Sequence, residues 1–289
     1  MFQKTRLTYQ FILGRIAIYL GLIICFTFLL FPIYWIITMA LKPPSDILIY
    51  PPKFTFEPTL NSIRYILGLD QSLSGTTNYF IQGMKNSVII VFSSVIVSLI
   101  VGVPAAYIFA RYKFRGKENI AFTILSFRFA PALLVILPLY LIFQKINLYN
   151  TYLGLIWVYQ LVSLPMILWI VRGYFEDIPK EIEHAGMLDG YSRIAIFFKL
   201  ILPLTKAGVA ASTILAFIYS WNNFIFGLIL GSSKVQPITV QALKYISADA
   251  IRYPEIAAVC IFASIPLLIM SIFLQRYLVT GLSMGAIKR

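Results

Sequence analysis

Charge is the scarcest ingredient of this chain. Asp, Glu, Lys and Arg make up 12% of its 289 residues, against about 25% in a soluble domain. Hydrophobic residues reach 60%, and the mean hydropathy is +0.84. Such a chain cannot cover itself with water-compatible surface, so its solvent is a lipid bilayer. In lipid every backbone N–H and C=O is paired internally, which leaves helices or closed barrels. Long apolar runs rather than short alternating ones point to helices.

Other absences narrow the function. Histidine occurs once and cysteine twice. Cys25 and Cys260 lie in apolar runs and read as small buried hydrophobes, with no disulfide or metal site suggested. No G-x-x-x-x-G-K-[ST] loop occurs. Gly116-Lys117 lacks the upstream glycine and the following Ser or Thr, so the chain has no phosphate cradle of that type. No Asp or Glu lies inside an apolar run, which argues against proton or sodium coupling. No fixed repeat and no low-complexity tract appears. The first apolar run exceeds the 7–15 residues of a signal-peptide core and no small-x-small site follows, so it reads as a retained anchor.

Six stretches are long enough to span a bilayer at roughly 20 residues each. They run over 16–41, 87–110, 120–143, 152–171, 201–220 and 256–274. The expected fold is therefore all-α, a polytopic membrane protein forming one transmembrane domain over 1–289. The net charge of +13 is dispersed between the runs rather than gathered in one patch, which excludes nucleic acid as a partner. Fifteen of the 24 Lys and Arg residues fall on the side that holds both termini and the 111–119 and 172–200 loops. The positive-inside bias makes that side, and both termini, cytoplasmic. The 42–86 segment, with Pro43, Pro44, Pro51, Pro52 and Pro58, and the 222–255 segment are long external excursions. The second contains an apolar stretch, 224–230, that reads as re-entrant.

The 177–200 loop is more than a connector. Pro179 suits a first helical turn, and Glu181 and Glu183 complement the positive end of that helix. Asp189-Gly190 stops it, glycine supplying the left-handed cap position. A second helical run, 192–202, leads through Pro203 into the fifth span. Ala185 and Gly186 make its middle narrow enough for another backbone to approach.

Here the residues resemble a family. Glu183-His184-Ala185-Gly186-Met187-Leu188-Asp189-Gly190, followed by Leu200-Ile201-Leu202-Pro203, is similar to the EAA loop of binding-protein-dependent ABC permeases. The ending from Gln275 to Lys288 resembles the six-span subunit of the maltose-type carbohydrate permeases, as do Asn86-Ser87 and Trp221-Asn222. His184 stands where the family has its glutamate, and Gly186 where it has the second alanine. The resemblance implies an importer subunit that is not an enzyme and binds no cofactor, ATP and magnesium being held by partner ATPase subunits. It implies docking to those ATPases through Glu183, His184, Ala185, Gly186, Asp189 and Gly190. The further partners implied are a second permease and an external solute-binding protein, and the location is a bacterial or archaeal plasma membrane. The implied solute is a sugar or polyol. The lone His184 reads as a docking contact, with a pH sensor as the alternative.

Arg128 lies within the third span near Pro131. A mid-membrane arginine faces the protein interior or a cavity, which makes it a candidate for the solute path or gate. Two other roles fit: capping carbonyls freed by Pro131, or snorkelling to the interface. Tyr219, Trp221, Asn222 and Asn223 end the fifth span, where aromatic and amide groups could hold a sugar or simply form an interfacial belt. The competing class is an ATP-independent secondary transporter or channel.

Overall fold

A computed structural model describes residues 2–69, 79–232, 234–246 and 251–285. Among the described residues the elements are helical, with one isolated bridge between Ile246 and Ile251. The chain falls into two compact units, one of residues 1–76 with 245–262 and the other of residues 77–244 with 263–289.

In the first unit, α1 (Phe2–Leu41) and α2 (Asn61–Ile66) are joined through an extended, proline-rich segment. The apolar 14–41 stretch of α1 is long enough to cross a membrane, and its span window has no buried residue. An apolar helix exposed on all its sides is stable only against lipid. Its end is fixed by Lys42, which is buried with its ammonium 4.7 Å from the Trp35 ring and 5.1 Å from Phe56.

The second unit is built around α3 (Tyr79–Arg111) and α6 (Tyr152–Asp177). Helices gain little from the hydrophobic effect when lipid is the alternative, so small residues and polar contacts bring them together. Ser98 and Ser163 Oγ atoms lie 2.6 Å apart, and Gln160 Nε2 donates to the carbonyls of Ser94 at 3.1 Å and Ile156 at 2.9 Å. At the far end, Asn86 Nδ2 donates to the carbonyls of Lys234 and Gln236 at 3.0 and 2.9 Å. The Ser87 hydroxyl accepts from the Ile238 N–H at 2.8 Å. These bonds pin α12 (Ile238–Gln241) to α3. Ahead of it, the apolar 224–230 stretch forms the short helix α11 (Ile225–Leu230).

Two of the six expected spans are broken helices. Residues 120–143 do not form one helix. They divide into α4 (Lys117–Ser126) and α5 (Ala132–Lys145). Pro131 has no N–H to donate and disfavours helical geometry at Ala130, so the ladder ends in tight turns, Arg128 N–H to Leu125 O and Phe129 N–H to Ser126 O. The fifth stretch is α10 (Lys206–Trp221), preceded by a helical run over Arg193–Leu204 that meets it at 74°. That run comprises α8 (Arg193–Ile196), a π-turn over Phe197–Ile201 and α9 (Leu202–Leu204). At the bend the Thr205 N–H and hydroxyl both reach back to the carbonyls of Ile201 and Leu202, the hydroxyl at 3.3 and 3.0 Å, so the turn is held by backbone and side chain together. The last span lies in α13 (Tyr253–Gly285). Among the described residues four helices are long and apolar enough to cross a membrane, or five with the bent pair counted as one. Cys25 and Cys260 are exposed rather than buried, because apolar residues on a membrane helix face lipid as readily as protein.

Glycine separates two kinds of helix surface. A Cβ on Gly208 of α10 would lie 2.3 Å from Cγ of Tyr174, whereas one on Gly173 of α6 meets nothing within 4 Å. Gly208→Val is expected to cost about 1–3 kcal/mol through overpacking. Gly173→Ala is expected to be neutral or slightly stabilising. Thermal unfolding of the detergent-solubilised variants checks both.

Candidate functional site

The 177–200 loop folds as a helix-turn-helix tip. The first helix, α7, spans Glu181–Leu188, and Gly190 takes φ +82°, the left-handed conformation that ends it. Ser192 then caps α8, its Oγ accepting from the Ala195 N–H at 3.3 Å.

Three buried or half-buried side chains hold this tip from behind. Arg111, at the end of α3, donates from Nη2 to the Ile178 carbonyl at 2.8 Å. Its Nε faces Glu183 Oε1 at 2.5 Å in an ion pair whose angle falls short of a good hydrogen bond. The other carboxylate oxygen of Glu183 accepts from the Tyr107 hydroxyl at 3.0 Å. The Tyr107 ring packs edge-on against Phe175 and tilted against Phe197, at centroid distances of 5.5 and 4.9 Å. One ion pair thus joins α3, the end of α6, α7 and the π-turn.

The six residues expected to dock another chain therefore divide. His184, Ala185, Asp189 and Gly190 are exposed. Glu183 is turned inward to Arg111, and Gly186 is buried, where a Cβ would lie 2.7 Å from Leu200 Cδ1 and 3.1 Å from Ile196 Cγ1. The narrow point at Gly186 serves packing between the tip's own two helices. Sequence reasoning missed the outer surface, an apolar cluster of Met187, Leu188, Tyr191 and Ile194, with Leu188 89% and Ile194 73% exposed. The signal was available: Met187, Leu188, Tyr191 and Ile194 flank Asp189-Gly190, the turn of the tip, where a solvated loop would carry polar residues.

A second candidate lies at the α4–α5 break. A cavity of about 240 Å³ is lined by Arg128, Tyr219 and Asn223 together with apolar residues that include Leu161, Val162 and Phe226. The Arg128 guanidinium sits over the Tyr219 ring, 4.4 Å from its centroid. Asn223 Oδ1 accepts from the Phe226 N–H at 3.2 Å and so caps α11. The other expected path residues lie elsewhere. Trp221 is buried, stacks on Phe217 and donates Nε1 to the Ala263 carbonyl at 3.1 Å. Asn222 is exposed and donates back to the Ile218 carbonyl. Pro131 caps α5 and does not line the cavity. Among the described residues no group of His, Cys, Asp and Glu could hold a metal.

The family model described as binding-protein-dependent transport system inner membrane component matches residues 99–284. The chain belongs to this family. As a transport permease it is a multi-pass membrane protein and not an enzyme. The permease is 30% identical to the trehalose/maltose transport system permease protein MalG of Thermococcus litoralis over 280 residues, 96% of this chain and 98% of that one. It is 28% identical to the diacetylchitobiose uptake system permease protein DasC of Streptomyces coelicolor, covering 95% and 98% of the two chains. Its fold is similar to that in the crystal structure of a bacterial ABC transporter involved in the import of the acidic polysaccharide alginate. That match has a TM-score of 0.74 at 22% identity, covering 92% of this chain and 96% of the other.

Removing Glu183 would leave the Arg111 charge buried without its counter-ion, its side chain being 5% exposed. Glu183→Ala is expected to cost the permease about 3–5 kcal/mol. Replacing both partners, as Arg111→Met with Glu183→Leu, is expected to cost much less than Glu183→Ala alone. A double-mutant cycle by thermal unfolding measures the difference.

Proposed function

We propose that the permease forms half of the translocation pathway of an ATP-driven importer, with a second permease supplying the other half. The apolar tip docks into a cleft on an ATPase subunit, and a pair of such subunits binds ATP and magnesium. An external solute-binding protein delivers the solute. The observation that carries this reading is the two-sidedness of the tip: Glu183 and Gly186 fasten it from behind, while Met187, Leu188, Tyr191 and Ile194 are left uncovered. A monomeric soluble surface seldom gathers such a patch without a partner to cover it.

The tip and the basic 111–119 loop lie on the cytoplasmic side, as do both termini. The whole chain acts as one transmembrane domain with six crossings, the third built from α4 and α5 in series and the fifth from α10 with its bent lead-in. ATP-driven closure of the ATPase pair moves the tip, and the fastened tip carries the helix bundle as a rigid body between two states. The solute is a sugar or polyol, a reading supported by its likeness to MalG of trehalose/maltose transport and DasC of diacetylchitobiose uptake. Its path includes the cavity of Arg128, Tyr219 and Asn223.

A cysteine at Leu188, in a background lacking Cys25 and Cys260, is expected to crosslink to co-expressed ATPase subunits in an ATP-sensitive manner. Leu188→Asp is expected to weaken co-purification of those subunits roughly tenfold or more, from the loss of a buried leucine. Free labelling of the Leu188→Cys thiol in the assembled complex would contradict the docking role.

A further inference from the structure

The cavity at the α4–α5 break has an unbalanced charge. Arg128 is the sole ionisable cation among its lining residues, and no lining residue is acidic. Among the described residues the ion pairs go to other cations: Asp46 to Lys53, Glu118 to Arg172 and Lys117, Glu176 to Arg172, and Glu183 to Arg111. Arg128 makes none. Tyr219 covers one face of the guanidinium, but a π face accepts no directed N–H bond, and the five N–H donors of the group have no side-chain or carbonyl acceptor among the described residues. A membrane-depth arginine without a partner is expensive to keep. A neutral glutamine or serine would serve a neutral polyhydroxyl solute with less desolvation.

The remaining polar groups complete a recognisable subsite. The Asn223 carboxamide spends its oxygen on the α11 cap, which leaves its NH₂ to donate. The exposed part of the Tyr219 ring offers an apolar face, and Leu161, Val162 and Phe226 close the wall. The volume of about 240 Å³ has room for one sugar unit. Donors outnumber acceptors, and one donor is a forked cation suited to two oxygens of the same anion.

We propose that the transported solute carries an anionic group, a carboxylate or a sulfate or phosphate ester on a sugar, and that Arg128 receives it in this cavity. This rests on the reading of the chain as a sugar permease whose path includes the cavity. Arg128 thereby sets specificity: the guanidinium leaves part of its contact with Tyr219 to grip the anion, while Asn223 and the aromatic face hold the ring. A neutral sugar leaves the arginine unpaired and is disfavoured.

The test uses the full chain, co-expressed with its partner subunits and reconstituted in nanodiscs, with Ala130→Cys introduced on the cavity wall in a Cys25- and Cys260-free background. Maleimide labelling is timed in the presence of sodium glucuronate or glucose at equal ionic strength. Glucuronate is expected to protect the thiol at roughly tenfold lower concentration than glucose, the advantage of a charge-assisted contact. Arg128→Gln is expected to bring glucuronate down to the level of glucose, and Arg128→Lys to keep most of the difference. Equal protection by the two sugars in the unaltered cavity, or full glucuronate preference in Arg128→Gln, would overturn the proposal while leaving the sugar path intact. Protection by neither sugar would overturn the proposal and the sugar path together. If Arg128→Gln does not fold, the two-sugar contrast with Arg128 present and the Lys variant decide the outcome.

Discussion

The buried contact between Arg111 and Glu183 is the constraint on which the rest of this structure turns. A helix of eight residues has little stability of its own, and α7 stands at the tip of a loop between long helices. It can transmit force only if something fixes it to the bundle. The ion pair does so, with the Tyr107 hydroxyl on the second carboxylate oxygen and the Ile178 carbonyl on the guanidinium. Around it Tyr107, Phe175 and Phe197 form a buried aromatic cluster. Nearby, the Arg172 guanidinium hydrogen-bonds Glu118 and Glu176, although pairs with carboxylates this exposed add little stability.

The same logic of paired interruptions runs through the membrane part. Pro131 breaks one crossing and Thr205 marks the bend of another. The first break closes in tight turns around Ser126, and the second is held by the Thr205 N–H and hydroxyl, both directed to the Ile201 and Leu202 carbonyls. Breaks of this sort are tolerated at membrane depth where they border protein or a cavity. The α4–α5 break borders the cavity that holds Arg128.

Much of this was legible in the residues. Hydropathy placed the apolar runs, and Gly190 marked the end of α7 because a left-handed residue is needed there. Arg128 was singled out because an arginine in an apolar run demands a reason, and Tyr219 and Asn223 because aromatic and amide groups end the fifth span; that the three share one cavity is a tertiary fact. What stayed hidden depended on distant pairing. Glu183 and Tyr107 are 76 residues apart, and no periodicity tells that the first glutamate of the tip turns inward. Gly186 looked outward for the same reason, since its neighbours Ile196 and Leu200 belong to the next helix. The division of 120–143 was signalled by Pro131, but hydropathy averages across a proline and reports one span. Trp221 looked like a solute platform because its burial against Phe217 and Ala263 is a tertiary fact.

Rigid attachment of the tip to the bundle is the central claim, and one distance reports on it. Spin labels at Lys113, just past the end of α3, and at Lys180, just before α7, flank the ion pair without touching the apolar tip; both positions are exposed. Pulsed electron–electron resonance on the assembled transporter would compare nucleotide-free and ATP-bound states. Rigid coupling requires a single narrow distance that is the same in both, even as the bundle moves. A distance that shifts with ATP while Arg111 and Glu183 are intact would mean that the tip swings on its own, and the account of coupling through this ion pair would fail.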